Sequence, residues 1–222
     1  GRLYWEQDIF KAEKEKIFSG MWLCIGRCED IEEPGSYFTW EQDEERVLIV
    51  RGKDNKIRAF FNVCRHRGSR LVDDESGCGL NRITCPYHAW TYANDGRMPA
   101  APPMGDDFDK NDSPLIEAPC ETYGGFILIN LDENAEPLES FLSEPPDLSS
   151  YQLPQLRRAA RVEYEIEANW KLVIENYNEC YHCALVHPQL HRISDANSGG
   201  EMERGRCFSG GSMHLNEGFS TM

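Results

Sequence analysis

Two short groups of cysteine and histidine stand out in the sequence. Cys64-Arg65-His66-Arg67-Gly68 reads C-x-H, and after 18 intervening residues Cys85-Pro86-Tyr87-His88-Ala89-Trp90 reads C-x-x-H. Two thiolates can hold one iron of a [2Fe-2S] pair and two imidazoles the other. Replacing thiolate by neutral nitrogen raises the potential above that of all-cysteine clusters, so such a centre can pass single electrons to an oxidising site. The same ligand atoms also suit a tetrahedral Cys2His2 zinc site. Zinc fingers place both cysteines in one half and both histidines in the other, whereas here each half supplies one of each, which favours iron. Gly68 would let backbone amides approach the sulfides, and Trp90, Tyr87 and Pro86 would shield the metal. The plainer alternative is a turn glycine and a buried aromatic pair.

A second group lies downstream, with Glu175, Asn176, Glu179, His182 and His187 on a segment of helical composition from Asn169 to Val186. Glu179 and His182 are three apart and share a helix face, while five residues set His187 about 140° round from His182. Both imidazoles can reach one metal only if the helix unwinds near its end, and Pro188 disfavours a helical residue before it. Two histidines and a carboxylate make the facial triad of non-haem iron, with positions left open for oxygen and substrate. His187 with His191, or Cys180 with Cys183, are rival pairs.

Several elements must position these groups. Residues 6–22 repeat apolar side chains at Ile9, Phe10, Ile17, Phe18 and Met21, the spacing of a helix buried on one side. Short β-rich runs follow, at Arg46 to Val50, Ile57 to Val63, Arg82 to Thr84, Trp90 to Tyr92 and Gly125 to Leu131, separated by Gly-, Asn- and Asp-rich turns. Each ligand pair then sits at a strand end, where two loops meet tip to tip. Ala100 to Ser113, dense in Pro, Gly and Asp, is a connecting surface loop. Val162 to Glu167 alternates apolar and acidic residues as a half-buried strand does. The expected organisation is an N-terminal helical segment (1–33), an all-β domain (34–154) and the start of a further domain (155–222).

Composition narrows the partners. The 222 residues are 40% apolar, enough for a real core, and carry a formal net charge of −15, which opposes nucleic acid and anionic lipid. No apolar run approaches a bilayer span and the start lacks a signal-peptide pattern, so the expectation is a soluble, cytoplasmic protein. Nine cysteines in such a compartment point to metal binding rather than disulfides. The seven outside the motifs (Cys24, Cys28, Cys78, Cys120, Cys180, Cys183 and Cys207) are read as unreactive fillers. Arg65, Arg67, Arg70 and Arg82 make the cluster loops locally basic, either to steer an acidic electron donor or to pair with Asp73, Asp74 and Glu75.

Taken in order, these motifs make the whole chain resemble the α subunit of a Rieske non-haem iron ring-hydroxylating oxygenase. The C-x-H and C-x-x-H loops match that family's cluster domain. Asn169-Trp170-Lys171, then Glu175 through His182 to His187-Pro188, match the start of its catalytic domain. The resemblance implies an α+β chain: an all-β Rieske [2Fe-2S] domain holding its cluster on Cys64, His66, Cys85 and His88, and the beginning of a helix/sheet mononuclear-iron domain. It implies Fe(II) on His182 and His187, with Glu179 as a carboxylate that hydrogen-bonds a cluster histidine of the neighbouring subunit, matched here by His88. A homotrimer or α3β3 assembly follows. So do O2, a ferredoxin and/or flavin reductase supplying electrons from NAD(P)H, and an aromatic or quaternary-ammonium substrate.

Two departures bear on this. Many ring dioxygenases carry aspartate at the bridge, and glutamate resembles the branch acting on carnitine, glycine betaine and related amines. The family's third iron ligand lies far downstream, and none of Asp195, Glu201, Glu203 and Glu217 matches it, so the chain reads as the N-terminal portion of a longer protein without a finished active site. His214, Asn216 and Phe219 either line a pocket or pack. The alternatives are a Rieske-type electron carrier that needs only Cys64 to His88, and a structural zinc protein.

Overall fold

A computed structural model describes residues 1–143, 145, 147–179, 181–199, 203–211 and 213–220. Helices α1 (Gln7–Glu13), α2 (Leu138–Leu142), α3 (Trp170–Asn178), α4 (Cys183–Val186) and α5 (Pro188–Ile193) accompany short strands. The first ten are β1 (Leu23–Arg27), β2 (Tyr37–Gln42), β3 (Glu45–Arg51), β4 (Ile57–Phe61), β5 (Ser76–Gly77), β6 (Ile83–Thr84), β7 (Thr91–Tyr92), β8 (Glu117–Ala118), β9 (Cys120–Tyr123) and β10 (Phe126–Ile129). The last four are β11 (Ser194–Gly199), β12 (Glu203–Arg204), β13 (Ser209–Gly210) and β14 (Met213–Leu215). The chain divides into two compact units, one of residues 13–136 and 148–158, the other of 1–12, 137–147 and 159–222. This division is discontinuous, where the sequence suggests successive segments. No described helix is long and apolar enough to cross a membrane.

The first unit is all antiparallel β. Strands β5-β2-β3-β4-β8 form one sheet, β1-β10-β9 a second, and β6-β7 a hairpin. β3 explains why two cores exist. Leu48 and Val50 point into a core with Phe60, Ile83, Trp90 and Tyr92, and Val47 and Ile49 into one with Ala59, Ile127 and Ile129. All four β3 residues are fully buried, so alternation sends apolar side chains both ways and the strand reads as a continuous apolar run. Burying each contributes about 1.5–3 kcal/mol. The expected strands around 46–50, 57–63, 82–84, 90–92 and 125–131 are all present, most of them shorter at the ends.

The N-terminal helix is observed as α1, continued over Lys14–Phe18 by a wider turn in which the Ser19 amide donates to the Lys14 carbonyl at 2.9 Å. Ala100 to Ser113 is irregular but for two short turns, one closed by the Phe108 amide on the Gly105 carbonyl at 3.0 Å and one over Lys110–Asp112.

Two expectations in the other unit need correction. Val162 to Glu167 forms no strand, and Val162, Tyr164 and Ile166 are 69%, 80% and 58% exposed. The alternation is real, but no described segment pairs with it, and a strand without a ladder partner leaves its backbone to water. The segment Asn169 to Val186 is not one helix either. Asn169 caps α3 by accepting from the Lys171 amide at 3.1 Å, as the start required, but Glu179 is already extended at φ −104° and ψ 142°. Asn176, Tyr177 and Asn178 are all weak helix formers, so the helix ends there, well before Pro188.

Candidate functional site

The two cysteine–histidine loops are built alike. In the first, the Cys64 amide donates to the Ser69 carbonyl at 2.8 Å and the Gly68 amide to the Cys64 carbonyl at 3.0 Å. In the second, the Cys85 amide donates to the Trp90 carbonyl at 2.8 Å and the Ala89 amide to the Cys85 carbonyl at 3.0 Å. Both turns close through a residue with positive φ, Gly68 at 70° and Ala89 at 57°. Glycine reaches that region freely, whereas alanine carries a Cβ penalty. The Gly68 amide is thus spent on the turn.

The loop tips meet as expected. The His66 and His88 rings lie 4.7 Å apart, edge to face, and Cys64 and Cys85 are 2% and 3% exposed. The Nδ1 atoms of His66 and His88 are buried with no hydrogen-bond partner. Two thiols and two orphaned ring nitrogens, in pairs, are the donor set a Rieske cluster requires, and this arrangement fits it. Among the described residues, no group of three or more His, Cys, Asp or Glu converges on a single ion position.

Electrostatics favour the ligating forms. Burial, then the charges of His88 and Arg67, holds the His66 imidazolium below its ordinary pKa and so keeps the ring neutral. Burial alone would push the Cys85 thiol up, but the amides of His88 and Tyr87, with the Cys64 and Ser69 side chains, outweigh it and the net shift is downward. Burial and the hydrogen bond with Cys64 push the Tyr92 phenol up.

Trp90 is 4% exposed and stacks on His66 at 4.8 Å and 9°, so it shields the site as expected. Tyr87 is 62% exposed and lies outside, tilted against His88 at 3.8 Å. Pro86 is exposed too, so neither covers the site from water. Of the arginines, Arg70 pairs with Glu41 at 3.0 Å and Asp73 at 3.5 Å, while Arg65, Arg67 and Arg82 are exposed with no ion pair to a described residue.

Three contributors escaped the sequence reading. Asn62, 3% exposed, accepts from the Leu71 and Val72 amides at 3.2 and 3.0 Å and donates to the Val72 carbonyl at 2.7 Å, clamping both ends of the first loop. Asn94 donates to the Leu80 carbonyl at 2.6 Å, fixing the hairpin that carries the second. Phe108 backs Trp90 at 5.2 Å, so the loop from Ala100 to Ser113 supports the site and does more than connect. A polar residue beside a ligand motif was the available signal for Asn62, and Phe108 left none.

In the other unit, His182 precedes α4 and His187 follows it, with rings 5.2 Å apart at 69°. The chain is non-helical at His187, with φ −122° and ψ 61°, so the break beside Pro188 is present in addition to the one at Glu179. Glu179 Oε1 lies 3.5 Å from His182 Nδ1 without an aligned hydrogen bond. Glu175 is engaged elsewhere, accepting from the Tyr4 hydroxyl at 2.8 and 2.9 Å. Of the rivals, His191 sits on α5 with its Nδ1 unpartnered, and Cys180 lies outside the described residues. Glu201 also lies outside them, as do the side chains of Asp195 and Glu203. The Asn216 side chain donates to the Arg192 carbonyl at 3.0 Å and the His214 carbonyl accepts from Ser194 at 2.8 Å, so both tie strand ends together.

Comparison with known proteins gives the same two parts. Residues 21–121 match the model of the Rieske [2Fe-2S] domain, and 153–218 that of the ring hydroxylating alpha subunit (catalytic domain). The carnitine monooxygenase oxygenase subunit of Acinetobacter baumannii is 41% identical over 190 residues, covering 83% of this chain and 51% of that protein. The glycine betaine monooxygenase oxygenase subunit of Pseudomonas aeruginosa is 40% identical over 189 residues, covering 84% and 44%. The benzene 1,2-dioxygenase subunit alpha of Pseudomonas putida is 34% identical over 194 residues, covering 83% and 43%. The chain spans about half the length of these relatives. Among solved structures, a quaternary ammonium Rieske monooxygenase superposes with a TM-score of 0.86 at 35% identity, over 97% of this chain and 61% of that one. The Rieske match removes the ground for a zinc site, and the match over 153–218 is left unexplained by a simple electron carrier.

Proposed function

From the premise that the chain belongs to the Rieske ring-hydroxylating oxygenase α subunits, we propose that it serves the oxygenase component of a monooxygenase acting on a quaternary-ammonium substrate. The observation that carries the redox part is the meeting of Cys64, Cys85, His66 and His88 at two like-built loop tips with orphaned imidazole nitrogens. What supports the substrate class is the higher identity to carnitine and glycine betaine oxygenases than to the benzene enzyme, together with glutamate at position 179. Aromatic hydrocarbon breakdown is correspondingly less supported.

In this reading the thiolates of Cys64 and Cys85 hold one iron of the cluster and His66 and His88 the other, while His182 and His187 hold a mononuclear Fe(II). The metals supply one-electron transfer and oxygen activation, and the chain sets geometry, potential and access. Trp90 fixes the His66 plane by stacking and excludes water from its face. Neutral imidazoles keep their lone pairs for metal. Glu179 sits where its carboxylate can hold the Nδ1 proton of His182, which orients that ring and raises its basicity as outer carboxylates do for metal-bound histidine. By the same reading Glu179 would also hydrogen-bond His88 of a neighbouring copy in a homotrimer or α3β3 assembly, linking the two candidate metal sites. A ferredoxin or flavin reductase drawing on NAD(P)H would be the electron donor.

Oxygen uptake by the full-length protein with a reductase tests the proposal. Carnitine, γ-butyrobetaine and glycine betaine are set against benzene and naphthalene. Product-coupled uptake with a quaternary amine is expected, and turnover confined to the aromatic compounds would overturn the substrate class.

A further inference from the structure

Two glutamates lie one turn apart at the end of α3, and they are held differently. Glu179, the residue that ends the helix, has Oε1 3.5 Å from His182 Nδ1. The Glu175 carbonyl accepts the Glu179 amide at 3.1 Å, while the Glu175 carboxylate turns to the N-terminal segment and accepts from the Tyr4 hydroxyl, 2.8 and 2.9 Å from its two oxygens. Tyr4 is itself gripped at three points by this one helix. Its carbonyl accepts the side-chain amide of Asn169, the cap of α3, at 3.1 Å, its ring lies 5.9 Å from the Lys171 ammonium, and its hydroxyl meets Glu175. All of these residues belong to one compact unit, although 165 to 171 positions of sequence separate Tyr4 from Asn169 and Glu175.

We propose that Tyr4 is a positioning residue for the candidate iron segment: it holds the Glu175 carboxylate away from His182 and His187, so that Glu179 is the carboxylate those histidines meet. The inference rests on the mononuclear-iron reading above and adds how one of two neighbouring glutamates is selected. The histidines fit a metal in that His182 Nδ1 is buried without a hydrogen-bond partner, beside the His187 ring. Cβ atoms one helical turn apart lie about 5–6 Å from each other, a span that a glutamate side chain can cover. A released Glu175 therefore reaches the ground held by Glu179, and a facial-triad iron keeps open positions that a second carboxylate can fill. The Tyr4 hydroxyl removes that competitor through a charge-assisted bond and without becoming a ligand. Its proton stays on the phenol, because the bond to Glu175, desolvation and the Glu175 charge all raise the Tyr4 pKa.

The test uses the full-length protein loaded with Fe(II), its cluster oxidised, and nitric oxide as the probe of open iron positions, followed by EPR. In Y4F the ring stays and the donor goes. Nitric oxide affinity is expected to fall about tenfold, the smaller end of what changes beside a metal-bound histidine produce, with altered rhombicity of the signal. E175Q removes the charge that would compete, so it should bind nitric oxide as the wild type does, and Y4F/E175Q should recover that affinity. Recovery separates selection of a carboxylate from simple bracing of the helix, which would leave the double variant as impaired as Y4F. Unchanged affinity and signal in Y4F overturn the proposal, and so does a double variant no better than Y4F. Should Y4F hold no iron, the double variant decides: iron regained supports the proposal, and iron still absent overturns it. A wild-type protein that binds no Fe(II) outside the cluster would instead refute the mononuclear-iron reading itself.

Discussion

The cluster loops and the histidine segment are both candidate metal sites, and they are supported in very different ways. Around the candidate cluster site, Cys64 and Cys85 make the backbone hydrogen bonds that close their loops, His66 and His88 lie within two residues of those bonds, and Asn62, Asn94 and Trp90 brace the loops from behind. His182 and His187 flank a helix of only four residues, with Tyr181 and Leu185 beside them 95% and 89% exposed. Their backbones bond within these short helices, the His182 carbonyl accepting the Leu185 and Val186 amides and the His187 amide donating to the Cys183 carbonyl, but among the described residues their side-chain support is each other's ring and Glu179. A [2Fe-2S] site can be assembled by two neighbouring turns from about twenty-five residues of sequence, because the turns orient the ligands. A mononuclear site with open positions needs walls from distant sequence, and nothing local preorganises it to the same degree.

The sharpest way to break this comparison is to remove one ligand from each region. C85S should abolish the visible cluster absorbance, while H182A leaves it unchanged. A bleached cluster in H182A would show that the regions are not independently built. E179Q comes next. With the cluster spectrum intact, single-turnover electron delivery to the second iron should slow about 10–100-fold, as loss of an outer carboxylate on a metal-binding histidine commonly does. Unchanged delivery would argue against the bridge.

Smaller effects sharpen the contrast within the cluster region. W90A should cost about 3–5 kcal/mol in denaturant unfolding of the apo-protein, since it empties a buried aromatic site and frees His66. N62A leaves two buried amides and a carbonyl without their partner, and a loss of roughly 2–3 kcal/mol is expected by the same measurement. Least of all is the exchange of the two left-handed residues. G68A should destabilise by about 1–2 kcal/mol through its positive φ, whereas A89G should stabilise by less than about 1 kcal/mol, relief of the Cβ penalty being offset by glycine's entropy. Equal effects of the same sign would mean that the two turns are not equivalent in conformation.

How much of this could be read in advance follows from the range of the interactions. C-x-H and C-x-x-H declare themselves because each pair is a local turn, and the strand at 46–50 because both its faces are apolar. Tyr92 and Asn62 act across 28 and up to 10 residues of sequence, and only the place of Asn62 beside a ligand motif sets either apart from ordinary strand and loop residues. Phe108 lies in a stretch whose composition signals only irregularity. Val162 to Glu167 carries a strand's pattern, but pairing depends on a partner that pattern cannot supply. The break at Glu179 illustrates competition of the other kind: overall composition favoured one long helix, and a run of poor helix formers ended it early.

One strand, β3, turns alternate residues to the cluster-side core and to the core against the three-stranded sheet. It acts as a shared wall, so the metal's surroundings cannot be altered by repacking Leu48 or Val50 without moving the wall that Val47 and Ile49 support. A substitution on the far side, more than one layer from any ligand, is then able to shift cluster properties. Tuning this candidate centre by mutation is a two-room problem even though Cys64 and Cys85 both occupy one.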